Sequence, residues 1–156
     1  MNFPSSSGCV RALFISPRRT YPMQACQRVQ ARTNHGFEGD AHARPGGSRQ
    51  VLLLDCETLK ELALEPGVLK ENITTAGLNV GALLPGTCLQ AGVALLEITK
   101  ECDPCSKMNS VQPGLQKKLA GRRGMLARVL QGGAIQVGDP ISVLADFPLE
   151  LGSPGR

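Results

Sequence analysis

The chain has 156 residues, 42% of them hydrophobic and 19% charged, with a formal net charge of +4. That is enough apolar material for one cored domain, too little charge for wholesale disorder, and no apolar run approaches the ~20 residues of a membrane-spanning helix. With no Trp, one Tyr and four Phe, there is little from which to build a base-stacking platform, so nucleic acid is not the expected partner of the basic residues.

In chain order, residues 1–7 are expected as a flexible tail. MNFPSSSGCVRALF has no basic segment followed by an apolar core, which gives the expectation of a cytoplasmic protein with reduced thiols. Val10 to Ser16 is rich in strand formers and stops at Pro17. Cys26 to Arg32 alternates weakly and reads as one polar strand. Residues 34–48, NHGFEGDAHARPGGS, form a long loop of a kind that is functional or disordered in compact domains. Arg49 to Leu54 is a buried strand. Asp55 then caps a short helix over CETLKELAL, ended by Pro66-Gly67. Residues 68–77 read as a strand entering a turn. Thr87–Ala91 and Val93–Thr99 are strands meeting at Ala91-Gly92. A helical or irregular stretch reaches Ala120. Met125–Gln131, Ala134–Val137 and Ile141–Leu144 are strands separated by glycine turns, and 146–156 is a second tail. Closely spaced strands without regular strand–helix alternation predict a mainly β barrel or sandwich over residues 8–145, with a few short helices.

Of six cysteines, only Cys102 and Cys105, in ECDPCSKMN, have motif spacing. The pair reads three ways: half a zinc site, a redox disulfide, or a reactive thiolate. Zinc needs four ligands; His35, Asp40 and His42 could supply others beside the pair, but the sequence has no second CxxC and no closely spaced His pair. A thioredoxin-like site needs a βαβ unit that the pattern lacks. Asp103-Pro104 is a helix-start signal, with Asp as cap and Pro at the first helical position. It would place Cys105 in the first turn, where unpaired N–H groups and Lys107 favour a thiolate while Asp103 opposes it. Cys105 is therefore the expected nucleophile and Cys102 a resolving or guarding thiol; both as inert buried thiols is the alternative.

Around the pair, Asp40 and His42 in G-D-A-H read as a pocket pair, with Asp40 orienting the imidazole, or as a loop hydrogen bond. Arg49, after Gly46-Gly47-Ser48, is open to an anion or to an ion pair, and Arg44 flanks the same glycines. Asn72 fixes a turn or binds a ligand. Lys117, Lys118, Arg122, Arg123 and Arg128 fall in one segment, readable as a solvated surface or, for Arg122 and Arg123, as a phosphate site. The expectation is one cleft lined by Cys105, His42 and at least one of Arg49, Arg122 and Arg123.

The succession GFEGDAHARPGGSRQVLLLD (36–55), LEPGVLKENITTAG (64–77), LPGTCLQAGVALLEITKECDPCSKMN (84–109) and RRGMLARVLQGGAIQVGDPI (122–141) resembles the MOSC domain, named for the C-terminal domain of molybdenum cofactor sulfurases. The resemblance covers about residues 8–145. It implies a β-barrel, alone or fused to larger enzymes, and a role in sulfur or molybdenum-cofactor chemistry. It implies a cysteine in a P-C-x-K stretch, here Cys105, carrying sulfur as a persulfide. The donor would be a separate pyridoxal-phosphate cysteine desulfurase, and the acceptor a metal–sulfur or molybdenum-cofactor protein. The alternatives it implies are a molybdopterin-dependent reductase of N-hydroxylated compounds, with Cys105 as molybdenum ligand, and a non-enzymatic cofactor-binding barrel. Neither a desulfurase domain nor a reductase accessory domain is visible in this sequence.

Overall fold

The computed structural model describes residues 7–144. Among them the strands are β1 (Ser7–Ile15), β2 (Gln24–Cys26), β3 (Arg28–Arg32), β4 (Gly36–Phe37), β5 (Val51–Asp55), β6 (Ile73–Ala76), β7 (Cys88–Ala91), β8 (Ala94–Glu101), β9 (Met125–Gln131), β10 (Gly133–Gln136) and β11 (Pro140–Val143). Two short helices, α1 (Cys56–Glu61) and α2 (Leu115–Lys118), and two 3-10 turns, Val80–Ala82 and Ser106–Ser110, complete the elements. The main sheet runs β11-β7-β8-β9-β5-β6-β1-β2, and β11 pairs back to β1. The seven strands from β11 to β1 therefore form a closed barrel, as the strand pattern predicts.

Closure depends on β1. It pairs antiparallel with β11 at Ser7–Cys9, with β6 at Cys9–Leu13 and with β2 at Leu13–Ile15. A register shift between Val10 and Ala12 bends the strand between these partners, as a bulge does. The other barrel pairs are antiparallel except β5 with β6, whose parallel connection carries α1. The three-stranded sheet β10-β3-β4 packs Val29, Ala31, Phe37 and Ile135 into the barrel core.

The apolar run of β5 is explained by burial on both faces. Val51 and Leu53 point into the barrel core, with Leu13, Leu89, Leu96 and Ile98. Leu54, on the other face, packs with Leu59, Leu69, Met108, Leu115 and Leu119 under the helices. Leu52 packs with Cys102 and Leu126 in a third, smaller cluster. That outer face is where the candidate site lies.

Several local expectations change. Cys26 to Arg32 is not one strand: Gln27 separates β2 in the barrel sheet from β3 in the small sheet. The helix after Asp55 ends at Glu61 because Ala63 turns into left-handed backbone (φ 57°), although Asp55 does cap it, accepting the Thr58 N–H at 2.9 Å. Residues 68–72 are irregular, with Lys70 at φ 68°, and the strand begins only at Ile73. The helix start expected at Asp103-Pro104 is absent. The turn begins later, at Ser106, so Cys105 occupies the cap position in extended backbone (φ −117°, ψ 169°). The expected tails lie outside the described residues, apart from Ser7, which opens β1.

Candidate functional site

A cleft of about 200 Å³ opens over the outer face of β5 and β9. Its floor is Leu52, Leu126 and Cys102, and Val51, whose side chain belongs to the barrel core, also borders it. Gln50, Asn72 and His42 stand at its sides, and Arg19, Arg44, Arg49, Lys70 and Arg123 supply positive charge. Among the described residues, no Asp or Glu lines it.

The long loop of residues 34–48 forms one wall and is ordered by its own backbone. Asp40 N–H donates to Phe37 O, Ala43 N–H to Asp40 O, Arg44 N–H to His35 O and Gly46 N–H to Asn34 O, at 2.9 to 3.1 Å. Gln50 clamps it from beneath. Its Nε2 reaches Asn34 Oδ1, Arg44 O and Gly47 O, each at 3.1 Å, and its Oε1 accepts the Val129 N–H at 2.9 Å. Arg44 and Arg49 are thus displayed from a fixed turn. Gly36 is required here: at φ 133°, a Cβ would meet Gln50 O at 2.9 Å.

Asn72 joins three segments. Its Oδ1 accepts the Leu52 N–H at 2.9 Å; its Nδ2 donates to Phe14 O at 3.2 Å and Asp40 Oδ2 at 3.1 Å. Both amide N–H groups are engaged within the protein, so the turn-fixing reading has the direct geometric support. Asp40, whose side chain is fully buried, also accepts the Ser16 N–H at 2.9 Å, and its Oδ1 lies 3.7 Å from His42 Nδ1. Asp40 itself does not line the cleft. At that distance the contact to His42 is not a direct hydrogen bond. It leaves the imidazole on the cleft wall with a carboxylate behind it.

Arg123 is the unusual residue. It is only 6% exposed, yet Nη1 has no hydrogen-bond partner, and no carboxylate lies within ion-pair distance of the guanidinium among the described residues. A buried charge without a partner is costly. Gly124 allows the close approach: at φ 123°, its Cβ would sit 2.6 Å from Leu53 O. The Gly124 carbonyl accepts the Cys102 N–H at 2.9 Å, which holds Cys102 beside Arg123.

The structure splits the basic run. Arg123 enters the cleft, whereas Arg122 pairs with Glu61 at 2.6 Å, Arg128 pairs with Glu97 at 2.8 Å, and Lys117 and Lys118 are exposed on α2. His42, Arg49, Asn72 and Arg123 meet in the cleft. The cysteine lining it is Cys102, which is buried; Cys105 is exposed and Lys107 projects from the neighbouring turn. Two residues, Asp103 and Pro104, separate the two cysteines, so their α-carbons are no more than about 11 Å apart. Arg19, Lys70 and Gln50 were not singled out by sequence. Lys70 and Arg19 belong to loops whose approach to β5 depends on the barrel pairings. Burial pushes the Cys56 and Cys88 thiols up from their ordinary value, aided by Glu57 and Glu97 respectively. Both lie outside the cleft.

A structure of the YuaD protein from Bacillus subtilis superposes with a TM-score of 0.74 at 20% identity, covering 88% of this chain and 95% of that one. YiiM from Geobacillus stearothermophilus gives 0.72 at 22% identity (88% of this chain, 75% of that one). YiiM from Escherichia coli gives 0.64 at 20% (94% and 71%). At these identities the likeness shows the shared fold. No curated protein matches the sequence. The MOSC domain model matches residues 21–142, a span that contains β2 to β10 and every residue of the cleft except Arg19, and the chain belongs to the MOSC domain family.

Proposed function

We propose that this protein handles the molybdenum cofactor, binding it in the cationic cleft. The observation that carries the reading is the buried Arg123 guanidinium, its Nη1 without a partner, beside Cys102 in a cleft that no carboxylate among the described residues lines. The donor set fits the group. Guanidinium forks suit the terminal phosphate of a molybdopterin. Among the described residues no cluster of three or more His, Cys, Asp or Glu side chains is placed to hold a bare metal ion. A metal that arrives with its own dithiolene ligand needs fewer protein donors, and Cys102 would offer its sulfur in the cleft. Molybdenum, when bound, supplies two-electron atom-transfer chemistry. The chain's own part is to hold the phosphate with Arg123 and the outer cations. Leu52 and Leu126 keep water from the floor, and His42, backed by Asp40, is placed to hold or move a proton.

The sulfur-carrier reading is favoured by a separate observation: Cys105 is exposed, and the other five cysteines are buried or half-buried. A protein donor reaches that thiol most directly. Attack by the Cys105 thiolate on the terminal sulfur of a desulfurase persulfide would form the Cys105 persulfide and release the donor cysteine as thiolate. The pyridoxal phosphate that generates the sulfur belongs to the partner.

The test is anaerobic purification from a host that makes the cofactor, followed by metal analysis and intact mass. Molybdenum at near one equivalent, lost in Arg123→Gln and Cys102→Ser, is the expected result. An adduct of about 32 Da, one sulfur atom, mapping to Cys105 supports the carrier role. A purified protein that holds neither molybdenum nor a fluorescent pterin overturns the cofactor reading.

A further inference from the structure

The positive charge of the cleft stands at two levels. Arg123 is at the floor, buried, with Nη1 unpaired. Arg19, Arg44, Arg49 and Lys70 are exposed and form a rim above it. None of these five side chains has a carboxylate within 4.0 Å among the described residues. The arginines that do carry ion pairs, Arg32, Arg122 and Arg128, all lie outside the cleft. The shortage of counter-charge is therefore local rather than a reflection of the modest net charge of +4.

A single phosphate monoester brings about two negative charges at neutral pH. Held by Arg123, it leaves most of the rim unmatched. The rim is also not loosely displayed. Gln50 fixes the turn between Arg44 and Arg49 through Arg44 O and Gly47 O, so these two side chains are presented over the floor site at little ordering cost. The cleft, at about 200 Å³, is smaller than the roughly 300–1,000 Å³ typical of whole-ligand pockets. A ligand seated on the floor must therefore extend past the rim. Beside the rim, Lys70 also lines a second groove of about 290 Å³ walled by Phe14, Pro22, Met23, Pro66 and Val68.

We propose that the cleft selects a ligand bearing two linked phosphates, with one phosphate on Arg123 at the floor and the second across Arg44 and Arg49 at the rim. The group beyond the second phosphate runs toward the apolar groove past Lys70. This rests on the cofactor reading only for the identity of the organic part: it makes the preferred form of that cofactor a pyrophosphate-linked one rather than the monophosphate. The phosphate preference itself is a property of the cleft.

The experiment is calorimetric titration of the cofactor-free protein with inorganic phosphate, inorganic pyrophosphate and a nucleoside diphosphate at one pH and ionic strength. Pyrophosphate and the nucleoside diphosphate are expected to bind about tenfold or more tighter than phosphate, since the second phosphate gains charge-assisted hydrogen bonds. The double variant R44Q/R49Q, altered at exposed rim positions, is expected to weaken pyrophosphate binding far more than phosphate binding and so to abolish the preference between them. R123Q is expected to weaken both. Less than a tenfold preference in the native protein, or a preference that survives R44Q/R49Q, overturns the proposal. Molybdenum in the purified protein without a pyrophosphate preference would remove this inference and keep the cofactor reading; a preference in a protein that takes up no molybdenum would do the reverse.

Discussion

Replacing Arg123 by Met should make the ligand-free protein more stable. Arg123 is 6% exposed and its Nη1 has no partner, so the folded state carries a charged donor that water would satisfy in the unfolded chain. An unsatisfied buried polar group costs about 1–3 kcal/mol, and more when charged. Met keeps an unbranched chain beside Leu52 and Leu126 and adapts to irregular space. The expected gain is therefore about 1–3 kcal/mol. With a typical urea dependence of about 1–3 kcal/mol per molar, the midpoint should rise by roughly 1 M. The assay is urea unfolding in a buffer free of multivalent anions, repeated with phosphate added. A ligand at 100 times its dissociation constant stabilises by about 2.7 kcal/mol. The native protein should gain stability with phosphate and Arg123→Met should gain almost none, so that the order of stabilities narrows or reverses. A variant less stable than the native protein in the anion-free buffer would refute the reasoning, because it would mean the guanidinium contributes to the fold and is not held at a cost for a ligand.

Asn72→Ala removes three hydrogen bonds to buried partners, Leu52 N–H, Phe14 O and Asp40 Oδ2, and should destabilise by about 3 kcal/mol or more; a loss below about 1 kcal/mol in urea unfolding would show that the network relaxes around the gap. At neutral pH, iodoacetamide should label Cys105 before the other five cysteines, as the one exposed thiol among them. Negatively charged iodoacetate, relative to neutral iodoacetamide, should favour Cys102 over Cys105, because the cleft attracts anions, and Arg123→Met should reduce that preference; equal reagent ratios at both thiols by mass mapping would argue against a cationic cleft. Cys56 and Cys88 have thiols pushed up by burial. A raised folded-state value means the unfolded chain releases these protons first. Their stabilising contribution is then full below the ordinary value of 9.0 and declines as pH rises through and above it. Stability against pH should slope less steeply there in Cys56→Ala and Cys88→Ala, and unchanged slopes would dismiss these thiols as the source.

The barrel was legible because its strands obey simple periods. β5, β8 and β9 stand out as apolar runs or alternations bounded by turn residues, and they pair side by side in the order β8-β9-β5. What the pattern did not contain was partner choice. Gln24 to Arg32 has one composition throughout, yet its two halves join different sheets, because Leu13–Ile15 of β1 captures the first part and β10 captures the second. No local propensity encodes that division. The later start of the 3-10 turn has a similar origin. Asp103-Pro104 is a good local start signal, but Cys102 N–H is bonded to Gly124 O, which prolongs extended backbone beyond β8. A long-range hydrogen bond therefore overrides the local cap, and with it the placement of Cys105 in a first helical turn.

The same bond explains why the cleft could be anticipated in kind but not in membership. The glycine-rich loop and the basic residues after the CxxC pointed to an anion site, and His42, Arg49 and Arg123 do converge. Sequence treats Arg122 and Arg123 as equivalent. The structure makes them opposites: Arg122 closes the turn after α2, its N–H bonded to Leu119 O, and Arg123 occupies the bend before β9. Arg122 reaches outward to Glu61, and Arg123 lies beneath the loop, next to Leu52 and Cys102. Gly124 follows, and its missing Cβ lets the chain approach Leu53 O where β9 joins β5. Cys102 is tied to the same junction through Gly124 O, so the thiol and the guanidinium are placed together by one backbone contact. Gly124→Ala should therefore perturb anion binding and Cys102 reactivity jointly, whereas a change at the loop glycines should move only the rim.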